Sequence, residues 1–521
     1  SRTTYDFKRQ CIEKSLYGVD IDPGAVEIAK LRLWLSLVVD EDDIKRIEPL
    51  PNLDYKIVRG NSLLGFPSGV LKHVEIENEI EKLKKLYFRA FDVKEKRELK
   101  TKIDENFKKL VEAAKQYSDV RDVTFDFNVY FSEVFHYKGG FDVVIANPPY
   151  GISITKKENP QMADQYKFIL KGEIETYILF YFKGLHLLHR NGYLSYITPD
   201  SWFTNRGASL FREWLTKNHS IIDVFDWYKP FEEAKDTRVH TVLLGSSKIN
   251  LNIKVKQVLP SDPKIIYRKY EIPHSIISDF NNKEWRFYLT DVERKIFNKM
   301  EGISQPLERL YNIKYGLRTG NNSEYITAKE TKHPLIAGAD IASLYEVKWK
   351  PKYLKKTEGL PEGYFREYFS DKKIIIQYVR TNSLDINARW LEAAYIKGNY
   401  IPLNSLSYIY QKSTDYELKY LLGIINSFLM NRYYRACYTD VNVKPTYLAQ
   451  LPIPTKNIKT QKDISSIVDE ILSLTQSDDY LQNPAKQAKV EEYKHQIDQL
   501  VYKLYGLTEE EIKIVENSNR E

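Results

Sequence analysis

Asn147, Pro148, Pro149 and Tyr150 close the stretch FDVVIANPPYG, and no charged side chain follows Asp142 in it. An amide, two prolines and a phenol ring together suit one chemical problem. A planar amino group such as the 6-amino of adenine is a weak nucleophile because its lone pair is delocalised into the ring. Attack on a methyl group becomes possible as the nitrogen turns tetrahedral, and two acceptors holding its two hydrogens favour that geometry. The side-chain oxygen of Asn147 offers one acceptor; the Pro148 carbonyl, aimed by a backbone that two prolines stiffen, offers the other. Tyr150 then stacks on the base, worth about 1–3 kcal/mol by analogy with single-strand binders. A base inside a duplex cannot reach that geometry, so its nucleotide must flip out. Taken alone, Asn-Pro-Pro-Tyr is equally a turn, and the elements around it decide between the two.

FDVVIA (141–146) has the apolar run of a strand buried on both faces, and open parallel sheets bind ligands beyond the carboxyl ends of their strands. SLYGVD (15–20) is a second strand, ending in an acid; PGAVEIAKLRLWLSLVV after it has helical spacing with Pro23 in the first turn. In dinucleotide-binding folds an acid at such a strand end hydrogen-bonds a ribose. Asp20 takes that place, and Asp22 that of the helix N-cap. YKIVRGNSLLG (55–65) is a further strand closing on a polar turn, and the alternation of strands and helices implies a parallel sheet. The charged block at 75–115 predicts a helical hairpin, inserted over 71–120 and solvated rather than touching DNA. A helix ended by Gly192, a strand at 193–199, a helix at 208–218 and two strands at 221–227 and 240–247, close enough to pair antiparallel, continue the pattern. It loosens after residue 251. A helix at 416–436 and two more within 461–515 follow, without internal repeats.

The 521 residues exceed one ordinary core and imply two or three domains. No apolar run approaches a membrane span, and residues 1–10 lack the core of a signal peptide. Cys11 and Cys437 exclude a disulfide framework and a cysteine-based zinc site, and fit a reducing, cytoplasmic compartment. Residues 301–460 carry 23 Lys or Arg against 15 Asp or Glu, while the whole chain nets +7. The same segment holds 18 of the 39 tyrosines, so positive charge and flat aromatic side chains coincide as on nucleic-acid-binding faces; a tyrosine-rich fold with a solvated basic surface would look the same.

YGVDIDPGAVEIAKLRLWLSL, GNSLLG, FDVVIANPPYG and GYLSYITPDSWF together resemble the gamma-class adenine-specific DNA methyltransferases of type IIG restriction–modification systems. IKYGLRTGNNSEYI, PLIAGADI, LLGIINSFLMNRYYRA and LAQLPIP are similar to a TaqI-like specificity domain. The resemblance implies an α/β, Rossmann-like methyltransferase domain over 1–250, with a mixed sheet and helices on both faces. It implies an α+β target-recognition domain over 251–460 and a helical tail over 461–521. It implies S-adenosylmethionine as cofactor, with Asp20 on its ribose, Ile21 on its adenine, Asn61 at the adenine amino group, where relatives often have Asp, and Ser62 also binding the cofactor. Asn147, which also lies against the cofactor, Pro148 and Tyr150 keep the roles derived above. Phe231 falls where the family places a second aromatic against the flipped adenine; otherwise it is an ordinary core phenylalanine.

One departure concerns the glycine-rich turn that ends the family's first strand and holds the methionine part of the cofactor. No glycine precedes Gly18, so that strand and loop are expected to lie outside this sequence. The expected partner is double-stranded DNA, bound by a monomer, together with an N-terminal nuclease region of the same enzyme or a partner subunit. The Glu-x-Lys sequences at 492–494 and 511–513 lie in a helical tail without a paired upstream acid, and cleavage by this chain is not expected. Lys314, Arg318, Lys348, Lys350 and Arg380 are candidates for phosphate or base contacts. No metal site is expected. Competing readings are a DNA-recognition fragment that does not methylate, and an amino-methyltransferase acting on RNA or a protein glutamine.

Overall fold

The computed structural model describes residues 4–39, 52–65, 74–116, 125–154, 160–169, 174–228, 230–231, 238–249, 251–259, 262–273, 276, 285–362, 371–378, 390–413, 416–438, 442–455, 458–477 and 479–517. The chain divides into two compact units. The first comprises Ser1–Asp226, Val239–Lys256 and Pro273–Lys283, the second Trp227–Arg238, Gln257–Ile272 and Glu284–Glu521.

In the first unit α1 (Thr4–Ser15) leads into β1 (Gly18–Asp20) and α2 (Pro23–Val38). The start of α2 is set locally. Asp22 is extended, its Oδ1 accepts from the Ala25 amide at 2.8 Å, and Pro23 has no N–H to leave unmet. β2 (Ile57–Arg59) runs parallel to β1, with Val19 opposite Val58. α3 (Val74–Arg89) and α4 (Val93–Gln116) form the expected hairpin, closed by Ile80, Leu83 and Tyr87 against Ile103, Phe107 and Leu110. The hairpin is tied down as well as solvated. After α5 (Phe127–Tyr130), α6 (Ser132–Lys138) presents His136 between two buried carboxylates of α3, each ring nitrogen 2.8 Å from an oxygen of Glu77 or Glu81. Lys84 reaches Glu133 at 2.7 Å beside them.

β3 (Phe141–Ala146) then leads to the Asn-Pro-Pro-Tyr turn. Beyond it β4 (Ser153–Ile154) pairs with β5 (Ile174–Glu175), α7 (Pro160–Gln165) lying between them in sequence. α8 (Thr176–Leu187), β6 (Leu188–Pro199), α9 (Ser209–Asn218), β7 (Ser220–Tyr228), β8 (Val239–Gly245) and β9 (Ile253–Leu259) follow. Strands lie side by side in the order β9-β7-β8-β6-β3. β3 and β6 are parallel, β6 and β8 antiparallel, so the sheet is mixed.

Two expectations change here. β3 is not buried on both faces: Val143 is 59% and Ile145 75% exposed, and of its apolar residues Phe141 and Val144 pack on the apolar cluster. The helix before β6 does not run on to Gly192. It stops at Leu187, since Leu188 already pairs with Phe141 across a bulge. Gly192 serves a close approach instead, as a Cβ there would stand 2.8 Å from the Phe141 carbonyl oxygen.

The second unit is built on an antiparallel sheet with strands Tyr311–Tyr315, Leu406–Gln411, Lys372–Gln377 and Ala393–Lys397 in that spatial order. The expected 416–436 helix is two helices, Leu418–Asn426 and Phe428–Cys437, because Ser427 leaves the helical conformation and caps the second through the Met430 amide. Helices Ile458–Thr475, Pro484–Leu504 and Glu509–Asn517 complete the unit; they number three where two were expected. Ile464, Val468, Ile497 and Val501 share one core with Ile374, Leu421 and Tyr434, which makes the C-terminal helices part of this core.

Candidate active site

β1 and β3 reach the site from one apolar cluster, in which Tyr17, Val19, Phe141 and Val144 pack around Phe125, Phe127 and Phe131. Tyr17, just before β1, meets Phe141, the first residue of β3, with ring centroids 5.5 Å apart. Both strands thus pack on the same cluster, β1 ending in Asp20 and β3 leading into Asn147. Asp20 is exposed, and its Oδ1 accepts from the Asp22 amide at 2.9 Å. Ile21 next to it is 65% exposed, an apolar side chain held out in solvent. Arg59 at the end of β2 donates to the Ile21 carbonyl at 3.3 Å, tying the two strand ends together.

The loop after β2 is a compact turn. Asn61 Oδ1 accepts from the Leu63 amide at 3.0 Å, so this oxygen is engaged within its own turn. Gln165 Nε2 and the Tyr166 hydroxyl both donate to the Leu63 carbonyl, at 3.0 and 2.7 Å, and fix the loop from beyond the Asn147–Tyr150 turn in sequence. Ser62 is half-buried in the same loop.

Asn147 is exposed, Pro148 buried and Tyr150 half-buried. The Tyr150 hydroxyl lies 2.6 Å from Asn147 Oδ1 and 2.9 Å from the carbonyl oxygen of Ile197 on β6. Burial pushes this hydroxyl up to about 12, so it keeps its proton and donates. Gly151 follows at φ 71°, a left-handed conformation that returns the chain toward α8. There Thr176, buried at the first position of the helix, donates through its hydroxyl to the Pro149 carbonyl at 3.4 Å. Of the residues named from the sequence, Asn147, Pro148 and Tyr150 share this turn; Thr176 and the Ile197 carbonyl, which carry no motif, meet it through packing.

Phe231 is half-buried and belongs to the second unit. Of the basic candidates, Lys314 is exposed on the Tyr311–Tyr315 strand with its ammonium 5.9 Å from the Tyr410 ring centre. Arg318 is exposed just after Leu317, whose amide is held by the Pro402 carbonyl at 2.7 Å. Lys348 lies 3.7 Å from Glu346, and the Lys350 amide donates to Asp340 Oδ1 at 3.1 Å, with both lysine side chains exposed. Arg380 lies outside the described residues. Of the 16 described tyrosines among residues 301–460, eight are interior: Tyr311, Tyr345, Tyr408, Tyr420, Tyr433, Tyr434, Tyr438 and Tyr447 are all buried. Among the described residues no His, Cys, Asp and Glu side chains gather in a set that could hold a metal ion, and no helix is long and apolar enough to cross a membrane.

Residues 14–231 match the Eco57I restriction-modification methylase family, and residues 333–453 the TaqI-like C-terminal specificity domain. The chain is 26% identical, over 82% of its length and 43% of the relative's, to the putative type II restriction enzyme and methyltransferase RM.MjaORFECS2P of Methanocaldococcus jannaschii. It is 24% identical to RM.Eco57I of Escherichia coli over 62% of this chain and 28% of that one, so it spans less than half of either. It is also 24% identical to the type II methyltransferase M.AccI of Acinetobacter calcoaceticus, over 58% of this chain and 59% of that one. Its fold is similar to that of the Type IIL restriction-modification enzyme MmeI, solved in complex with DNA, with a TM-score of 0.52 at 11% identity over 99% of this chain and 75% of that one. The chain thus carries an Eco57I-like restriction-modification methylase domain followed by a TaqI-like C-terminal specificity domain, and its relatives are type II restriction-modification methyltransferases.

Proposed function

We propose that the chain moves a methyl group from S-adenosylmethionine to the 6-amino group of a flipped-out adenine at a specific site in double-stranded DNA, as the modification and recognition part of a restriction–modification system. The observation that carries this reading is the Asn147–Tyr150 turn at the carboxyl end of β3, with β1, which ends in Asp20, packed on the same apolar cluster. The residues fit the cofactor: an exposed carboxylate suits ribose hydroxyls, and the exposed Ile21 side chain suits the face of an adenine. The Asn61 oxygen, engaged by Leu63, keeps a second lone pair for an amino group. When bound, the cofactor supplies the electrophilic methyl group. Asn147 Oδ1 and the Pro148 carbonyl accept hydrogen bonds from the two amino hydrogens, and the Tyr150 ring stacks on the base.

The test is single-molecule methylation sequencing of DNA from cells expressing the complete gene. The expected outcome is N6-methyladenine at one fixed motif. Accumulation of the protein without adenine methylation at any motif would refute the reading.

A further inference from the structure

The Tyr150 hydroxyl has one hydrogen and two acceptors within reach, Asn147 Oδ1 at 2.6 Å and the Ile197 carbonyl at 2.9 Å. With Oδ1 turned toward the phenol, only one of the two is served at a time. Turning the Asn147 amide over removes the conflict: Nδ2 then donates to the phenol oxygen, the phenol hydrogen goes to Ile197, and Oδ1 faces away. Both orientations use the same three groups. They differ in whether the acceptor is occupied by Tyr150 or offered outward. The third group is a firm reference point. Ile197 sits opposite Thr241 in the β6–β8 pairing, while its neighbour Tyr196 sits opposite Ala146, the residue before Asn147.

We propose, on the basis of the methyltransferase reading above, that the Tyr150 hydroxyl is a positioning group that sets the Asn147 amide. In the resting turn it holds Oδ1, and during reaction it accepts from Nδ2 and presents Oδ1 to the amino group of the incoming base. The same anchorage fixes the ring whose face stacks on that base. The hydroxyl exchanges hydrogen bonds only and never gives up its proton to the reaction. Its role is therefore separable from stacking, which a phenylalanine ring supplies equally well.

The experiment uses the full-length enzyme, with 2-aminopurine at the target adenine as a fluorescent reporter of flipping and single-turnover methylation of unmodified DNA as the rate. In Tyr150→Phe, flipping and DNA affinity are expected to stay within about twofold of wild type while the single-turnover rate falls about tenfold, the worth of one ordinary hydrogen bond. In an Asn147→Asp background, whose carboxylate offers an equivalent oxygen either way round, the same Tyr150→Phe change is expected to cost less than about twofold. A wild-type rate in Tyr150→Phe, or an undiminished effect in the Asn147→Asp background, would overturn the proposal. Failure of the underlying reading looks different: the unaltered enzyme would then neither methylate adenine nor raise the 2-aminopurine signal.

Discussion

Asn147 needs no special ionisation to do what is asked of it; it needs an oxygen in the right place at an exposed strand end. A fixed dipole at a developing charge is among the larger single contributions an enzyme makes, and removing one such group typically costs about 10²–10³-fold in rate. Asn147→Ala in the full-length enzyme is therefore expected to lower methylation at least about a hundredfold. DNA affinity in gel-shift titrations should change little, because Asn147 is a single uncharged side chain and its loss removes no phosphate contact. A variant that methylates at wild-type rate would show that the acceptor lies elsewhere. The loss should not be rescued by raising the pH, as the neighbouring Tyr150 is itself held protonated up to about 12 by its burial.

At the scale of elements, local chemistry was legible and contacts between distant segments were not. The start of α2 could be read from Asp22 and Pro23 because cap and first turn lie within four residues of one another. The reach of β6 back to Leu188, by contrast, depends on Phe141, and the Tyr150–Ile197 bond spans 47 residues. Whether FDVVIA is covered on both faces depends on what packs against the sheet, and an apolar run does not encode that. A buried cation is equally invisible in sequence. Lys373 lies on the Lys372–Gln377 strand at 1% exposure, its ammonium 3.3 Å from the Gly398 carbonyl, and burial pushes it down to about 8 against the attraction of Asp371. Below pH 8 the lysine is charged in both folded and unfolded chains, and the folded state alone bears the desolvation. Between pH 8 and 10.5 the unfolded chain keeps its proton while the folded one has lost it, so wild-type stability climbs with pH. Lys373→Met is expected to stabilise the protein by about 1–3 kcal/mol at pH 7. That gain should shrink toward zero as pH approaches 10.5, as followed by urea unfolding at a series of pH values. A gain that is constant across that range would mean the ammonium is not desolvated in the folded state.

For the whole molecule the question is what its second half does with its charge. The 23 Lys or Arg of residues 301–460 stand against 15 acids, and the eight interior tyrosines remove much of the aromatic surface on which a single strand could stack. That balance favours backbone contacts with duplex DNA, in which each neutralised phosphate releases counterions and steepens the salt dependence of binding. Arg318 and Lys350 are suited to such contacts. Both are exposed, the first beyond a residue pinned to the Pro402 carbonyl and the second on a segment whose amide is pinned to Asp340. Lys352 and Lys356, paired with Asp340 and Glu324, are less suited. Replacing Arg318 and Lys350 together by Ala should reduce the slope of log affinity against log salt by about 2, about one for each phosphate lost. Thermal stability should be nearly unchanged, since neither side chain is buried. Fluorescence anisotropy on DNA with and without the methylated motif, at several salt concentrations, separates the possibilities. Equal weakening on both DNAs marks phosphate contacts, weakening confined to the motif marks base contacts, and an unchanged slope would remove both residues from the DNA-binding face.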